Sequence, residues 1–271
     1  MAQMKIEQAR VVRQTAVGSS YCLLELCAPS TAEKVRPGQF VHVKIPRLDG
    51  AVLRRPFSVF RSDGVNLSIL FKPVGRGTDA MTALREGDEV SLLGPLGNGF
   101  PPCAPGMVPI VVAGGYGVAP LLFFASRLGR AGVAFLGGAT AADILFPEEF
   151  QSLGWEVRVA TGDGSRGVKG LVTDAFDVWL IEKGSRQGCF RPVDPKMAVM
   201  ALLGSINWIA RWYRPGGPAG AEEVTRKFID LFMGGLLPRG RAQTGAHRTA
   251  SGVAASRLRI AGGSRAARRE P

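Results

Sequence analysis

Cysteine and histidine are scarce in this sequence. Four cysteines, Cys22, Cys27, Cys103 and Cys189, stand among 271 residues, and none forms a C-x-x-C pair. That spacing argues against a zinc site and against a disulfide framework, and is the pattern of reduced thiols in a cytoplasmic protein. Of the two histidines, His42 falls on the polar side of an alternating run, with no catalytic partner visible in sequence. It reads as a solvated strand residue. The first residues, Met-Ala-Gln-Met-Lys-Ile-Glu-Gln, lack an apolar signal core. The apolar run 197–210 is too short for a bilayer core of about 30 Å. Residues 107–139 are apolar for longer but are interrupted by glycines and by Arg127 and Arg130. A cytoplasmic protein without membrane association is expected. Acidic residues are nearly missing from 241–271, where seven arginines face one acid, Glu270. Half of the +12 net charge therefore sits in that stretch. A basic balance placed there says little about nucleic acid binding by the remainder.

Hydrophobic residues make up 46% of the chain and charged residues 21%, enough for a sizeable core and about two domains. Residues 4–95 read as many short strands. In 39–46, Val41, Val43 and Ile45 share one face, with His42 and Lys44 on the other; in 65–72, Val65, Leu67, Ile69 and Phe71 share a face. Period-2 runs between Pro-Gly, Asp-Gly and Glu-Gly-Asp turns indicate an antiparallel barrel.

Arg54-Arg55-Pro56-Phe57-Ser58 opens one such strand. Arg55 offers a forked cation suited to a pyrophosphate. Phe57 offers a flat apolar face, and Ser58 a hydroxyl at reach of a ring nitrogen that accepts a hydride. Alone, this stretch is better read as an ordinary surface strand. It is followed by Leu70-Phe71-Lys72 and by Val74-Gly75-Arg76-Gly77-Thr78. There Gly75 and Gly77 permit close approach of backbone to an anion, and Thr78 is a candidate cap for a short helix to about Leu84. Leu93-Gly-Pro-Leu-Gly-Asn-Gly-Phe100 is a rigid glycine-rich link.

A second pattern centres on Pro109 to Pro120. The strand Ile110-Val-Val-Ala113 runs into Gly114, Gly115 and Gly117, with Val118 beyond, and a helix begins over 121–128. Glycines of this kind admit a pyrophosphate to backbone N–H groups at a helix start, and Pro120 suits a first helical turn. A tight turn in any α/β unit would also explain them. Strands over 132–138 and 155–161, a helix over 143–150, a loop over 162–170 and a helix starting over 171–176 complete the unit.

These stretches, in this order, resemble the ferredoxin-reductase-like flavoproteins, and among them the electron-transfer subunits of dihydroorotate dehydrogenase, over about 5–177. The resemblance implies a six-stranded antiparallel Greek-key barrel for FAD over 1–100 and a parallel α/β domain for NAD(P)H over 101–177. It implies that Arg55, Pro56, Phe57 and Ser58 line the flavin, with Leu70, Phe71, Lys72, Gly77 and Thr78 along its pyrophosphate. Gly114, Gly115, Gly117 and Val118 would bind the nucleotide, and Ser58 would act in catalysis. Phe57 stands where many relatives use tyrosine. A hydride would pass from NADH to FAD, and the catalytic subunit that oxidises dihydroorotate in pyrimidine synthesis would be the partner.

The family continues with a Cys-Gly-Pro-x-x-Met turn and a cysteine-rich segment for an iron–sulfur cluster. Here the sequence holds no cysteine after Cys189, so neither that cluster nor any other metal is expected. The nucleotide domain is thus truncated, and losing its later strands would leave 110–113 as a sheet edge. Residues 178–238 resemble a different family, the C-terminal part of tetracycline-repressor-type regulators, through Asn207-Trp208 and Trp212-Tyr213-Arg214-Pro215-Gly216-Gly217-Pro218. Asp194 and Pro195 are a helix start running to about Tyr213, broken by 214–218, and a second helix covers 221–233, stopped by Gly234-Gly235. Such a pair would either pack on the nucleotide domain, with the helix 195–213 covering the edge strand 110–113, or self-associate through 195–233. No helix-turn-helix is seen, which argues against a regulator that reads DNA sequence. Residues 239–271 are expected to be a disordered basic tail. The function expected is an NAD(P)H:flavin-type oxidoreductase. Its alternatives are an FAD-binding or dimerising module without turnover, and a non-functional gene fusion.

Overall fold

The computed structural model describes residues 5–18, 20–46, 53–214, 217 and 219–238. The basic stretch 239–271, and Pro215, Gly216 and Pro218 of the expected helix break, lie outside the described residues. Two compact units are present: Met1–Cys103 with Pro109–Val172, and Ala104–Val108 with Thr173–Pro271.

The first unit opens with six strands: β1 (Lys5–Val17), β2 (Tyr21–Cys27), β3 (Phe40–Lys44), β4 (Arg55–Ser62), β5 (Asn66–Phe71) and β6 (Glu89–Leu96). They close into an antiparallel barrel, as the alternation indicates, in the order β1-β2-β5-β4-β3-β6, the Greek-key arrangement that the resemblance implies. Val41 and Val43 point inward with Leu67, Ile69 and Phe71, all fully or nearly fully buried. Each such side chain contributes about 1.5–3 kcal/mol on leaving water. Val65 departs from the expected face: it precedes β5 and is exposed. Two short helices complete the barrel, α1 (Pro29–Ala32) and α2 (Arg76–Thr82). The start of α1 is held by Glu7, whose carboxylate accepts from the Ser30 and Thr31 N–H groups at 2.9 Å and from the Thr31 hydroxyl at 2.7 Å.

A parallel sheet follows, built from β7 (Ile110–Gly114), β8 (Val133–Gly138), β9 (Glu156–Thr161) and β10 (Val168–Lys169) in the order β10-β9-β8-β7. The strand before the glycine turn is therefore an edge of this sheet, as the loss of later strands predicts. Helix α3 (Val118–Leu128) starts three residues before the expected 121, because the turn at Gly115 leads straight into helical backbone. The helix expected over 143–150 is split. A 3-10 turn, Ala141–Asp143, is closed by a capping box between Thr140 and Asp143, and α4 (Pro147–Ser152) begins at Pro147. Proline lacks the N–H that an interior helical position needs, so it opens the helix.

Strand β4 serves two cores. The register shift between Val59 and Arg61 puts Val59 into the barrel interior and Phe60 onto its outer face. There Tyr21, Phe60 and Leu70 meet Leu122, Leu136 and Phe150 in a second core. Polar ties cross the same junction: Arg127 donates to the Ser62 carbonyl at 2.6 Å, and Arg61 pairs with Glu149.

Three helices remain: α5 (Val172–Arg186), α6 (Pro195–Trp212) and α7 (Ala221–Leu236). Asp194 caps α6 as expected, accepting from the Met197 N–H at 2.9 Å. Helix α7 passes through Gly234-Gly235 to Leu236. Each glycine costs a helix about 1 kcal/mol, which does not stop it here. Within this unit the Arg191 N–H donates to the Leu236 carbonyl at 2.8 Å. Among the described residues no helix is long and apolar enough to cross a membrane.

Candidate functional site

A cleft of about 280 Å³ opens in the first unit, between the diverging ends of β4 and β5 and the glycine turn after β7. Strand pairing creates it. β4 meets β5 from Val59 opposite Ile69 to Ser62 opposite Leu67. Before Val59, Arg55 to Ser58 pair with β3, whereas Leu70 and Phe71 pair with β2. The two strands part at this end, as the twist of a small closed sheet allows.

One wall is Pro56, Phe57 and Ser58; the facing wall is Leu70, Phe71 and Lys72. Phe57 is half-buried and meets Phe71 edge to face at 6.2 Å, so its ring is anchored on the barrel core. Ser58 is exposed beside it. Val74, Thr78, Tyr116, Gly117, Ala119 and Pro120 complete the lining. A slot with a flat aromatic wall, a hydroxyl and a lysine suits a planar heteroaromatic ring carrying polar edges.

Five of the residues singled out from sequence stand outside the cleft lining: Arg55, Gly77, Gly114, Gly115 and Val118. Arg55 donates to the Leu53 carbonyl at 2.9 Å. Its Nε would be 3.5 Å from a Cβ at Gly77, and Ile45 Cδ1 would be 3.1 Å away, so Arg55 lies against the first turn of α2 where a side chain would crowd it. Thr78 does not cap that helix. Gly75 holds the cap position, and the Thr78 hydroxyl accepts from the Val74 N–H at 2.9 Å and donates to the Gly75 carbonyl at 3.0 Å, closing the loop. Gly114 is extended, and Val118 is buried in the second core.

Tyr21 stands behind the cleft, outside its lining, in contact with Lys72, and sequence patterns do not reveal it. It is 5% exposed, and its hydroxyl donates to Asp143 Oδ1 at 3.4 Å. Lys72 Nζ sits 5.2 Å above its ring, and a Cβ at Gly115 would be 3.1 Å from its hydroxyl. Burial pushes its phenol above the ordinary 10, with Asp143 adding to the shift and Tyr116 contributing less. Locally Tyr21 is an ordinary strand residue; the pairing of Cys22 with Phe71 is what brings it beside Lys72. Tyr116 does carry a signal in the sequence, an aromatic set among glycines, which a motif built on the glycines alone passes over. His42 lies outside the cleft, its ring 5.5 Å from that of Phe40.

The chain is 38% identical over 176 residues to the dihydroorotate dehydrogenase B (NAD(+)) electron transfer subunit of Desulforamulus reducens, covering 63% of this chain and 67% of that one. The corresponding subunit of Bacillus caldolyticus is 37% identical over 203 residues, covering 72% and 77%. The chain belongs to the family of dihydroorotate dehydrogenase B electron-transfer subunits. Solved structures carry the same fold as this chain. An NADH-dependent reduced ferredoxin–NADP oxidoreductase is 29% identical with a TM-score of 0.57, covering 66% of this chain and 63% of that one. A cytochrome P450 reductase from Amycolatopsis is 25% identical with a TM-score of 0.56, covering 64% and 57%. Over residues 156–236 the chain also matches the tetracyclin repressor-like C-terminal domain family. That match begins at the first residue of β9, inside the parallel sheet.

Proposed function

We propose that this chain transfers a hydride from NADH to FAD, with the flavin ring seated in the cleft between β4 and β5. The observation that carries the reading is the parting of those strands around Phe57, Ser58 and Lys72 in a chain whose curated relatives are electron-transfer subunits of an NAD(+) enzyme. The cleft volume, about 280 Å³, is at the small end for a ligand pocket, so it suits the ring system alone. Arg55 and Gly77, just outside, then lie where a pyrophosphate would follow. When bound, FAD supplies the hydride acceptor. Phe57 gives the ring a stacking surface, Ser58 sets a hydroxyl toward its polar edge, and Lys72 with Arg55 supplies positive charge. Gly115 and Gly117 shape the turn that faces the nicotinamide nucleotide, and Gly117, with open space about it, keeps the cleft clear. Leu70 and Phe71 exclude water from the inner wall.

The physiological setting belongs to the same reading: a cytoplasmic subunit that associates with a dihydroorotate-oxidising catalytic subunit in pyrimidine synthesis. Self-association through 195–233 is a further part of it. The site assignment is tested by titrating the full chain, stripped of cofactor, with FAD and following the visible band and flavin fluorescence. Saturation at one FAD per chain is expected. A chain that leaves FAD in free solution at micromolar protein contradicts the assignment.

A further inference from the structure

Tyr21 is a buried group behind the cleft that the proposed hydride transfer leaves without a role. It belongs to the second core, and three separate stretches converge on it. Its hydroxyl donates to Asp143 Oδ1 at 3.4 Å. Asp143 Oδ2 in turn accepts from the Thr140 N–H and hydroxyl, each at 3.2 Å, so the acceptor is itself fixed by the turn after β8. The Gly115 backbone packs against the same hydroxyl, where an added Cβ would stand at 3.1 Å. The phenol is thus held at its tip, and its ring turns a face to Lys72, whose Nζ lies 5.2 Å from the centroid. That is inside the reach of about 6 Å over which a ring face attracts an ammonium.

Lys72 needs such a hold. Its charge rides on a flexible four-carbon stem, which left to itself carries the head out into water. Here the residue is half-buried and lines the cleft beside Phe71. We propose that Tyr21 is a positioning residue for the cofactor: its ring face seats the Lys72 ammonium on the cleft wall, so that the positive charge is in place before the anionic dinucleotide enters. This role rests on the flavin reading above. Tyr21 stands outside the lining and acts only through Lys72. A charge fixed in advance spares the ordering cost that binding would otherwise meet.

The seat is electrostatic, which gives it a test that damage to the fold does not mimic. Phenylalanine keeps the negative ring face of tyrosine, whereas pentafluorophenylalanine has nearly the same shape with the face charge reversed. FAD affinity of the full chain, stripped of cofactor, is read by equilibrium titration. Tyr21→Phe should bind FAD within about twofold of the unaltered chain. Pentafluorophenylalanine at position 21 should weaken binding about three- to tenfold, the range of one such contact, and Lys72→Met at least as much. The two changes combined should weaken binding no further than Lys72→Met alone, because without the ammonium the ring has nothing to seat. Three results overturn the seat while the unaltered chain still binds FAD: pentafluorophenylalanine equal to phenylalanine, Lys72→Met equal to the unaltered chain, or penalties that add in the double variant. An unaltered chain that binds no FAD overturns the flavin reading and the seat together.

Discussion

Gly115 has a backbone requirement that its neighbour Gly114 lacks. Its φ of +52° is a region that side chains with a Cβ enter at a cost of about 1–2 kcal/mol, and an added methyl would stand 3.1 Å from the Tyr21 hydroxyl. Gly114 is extended, and an added Cβ would meet the Gly137 carbonyl oxygen at an ordinary 3.8 Å. Urea unfolding should show Gly115→Ala less stable by about 1–2 kcal/mol and Gly114→Ala close to the unaltered chain. Equal losses in the two would contradict this account of the turn. Tyr21 gives a pH prediction. Folding raises its pKa above 10, so its protonated form is favoured in the native state. The associated stability is complete below the unfolded value near 10 and is lost as pH rises through the higher folded value. Thermal unfolding midpoints should therefore decline above pH 10, and Tyr21→Phe should flatten that decline; an unchanged slope would remove Tyr21 as its cause. At this scale Phe57, Ser58 and Lys72 were legible because their chemistry is carried by the side chain itself. Tyr21 was not, since its neighbours Lys72, Asp143 and Gly115 come from three distant stretches that the fold brings together.

Elements with a strict period were the readable ones. Alternation along β3 and β5 places one face in the barrel interior, and that geometry has few alternatives. The strand–glycine–helix passage from β7 to α3 was readable for a similar reason, as the backbone must turn sharply where an apolar run ends. Boundaries that depend on small energy differences were less so. Helix α2 starts at Arg76 because the Thr78 hydroxyl serves Val74 and Gly75 instead of the helix. Helix α5 runs unbroken from Val172 to Arg186, across the point where the sequence changes its resemblance. The start of α6, by contrast, rests on one strong local device. Removing the Asp194 carboxylate should cost α6 about 1 kcal/mol. Far-ultraviolet circular dichroism of Asp194→Ala should show an earlier loss of helix on heating, with Asp194→Asn close to the unaltered chain. Identical melting of the alanine variant would mean the cap contributes nothing.

Across the whole molecule, the first unit holds every residue of the cleft. The barrel and the parallel sheet share one buried core, with Arg127 and the Arg61–Glu149 pair bracing the junction. The parallel sheet ends at β7, so the nucleotide turn stands at an edge. Whether a sheet of this extent still presents NADH to the cleft is the central functional question. The anaerobic visible spectrum of the full chain, loaded with FAD and titrated with NADH, answers it most directly. The visible absorption band of the oxidised flavin should bleach on NADH addition and return on admitting oxygen. A loaded protein that keeps its full colour under excess NADH would contradict hydride transfer in this chain.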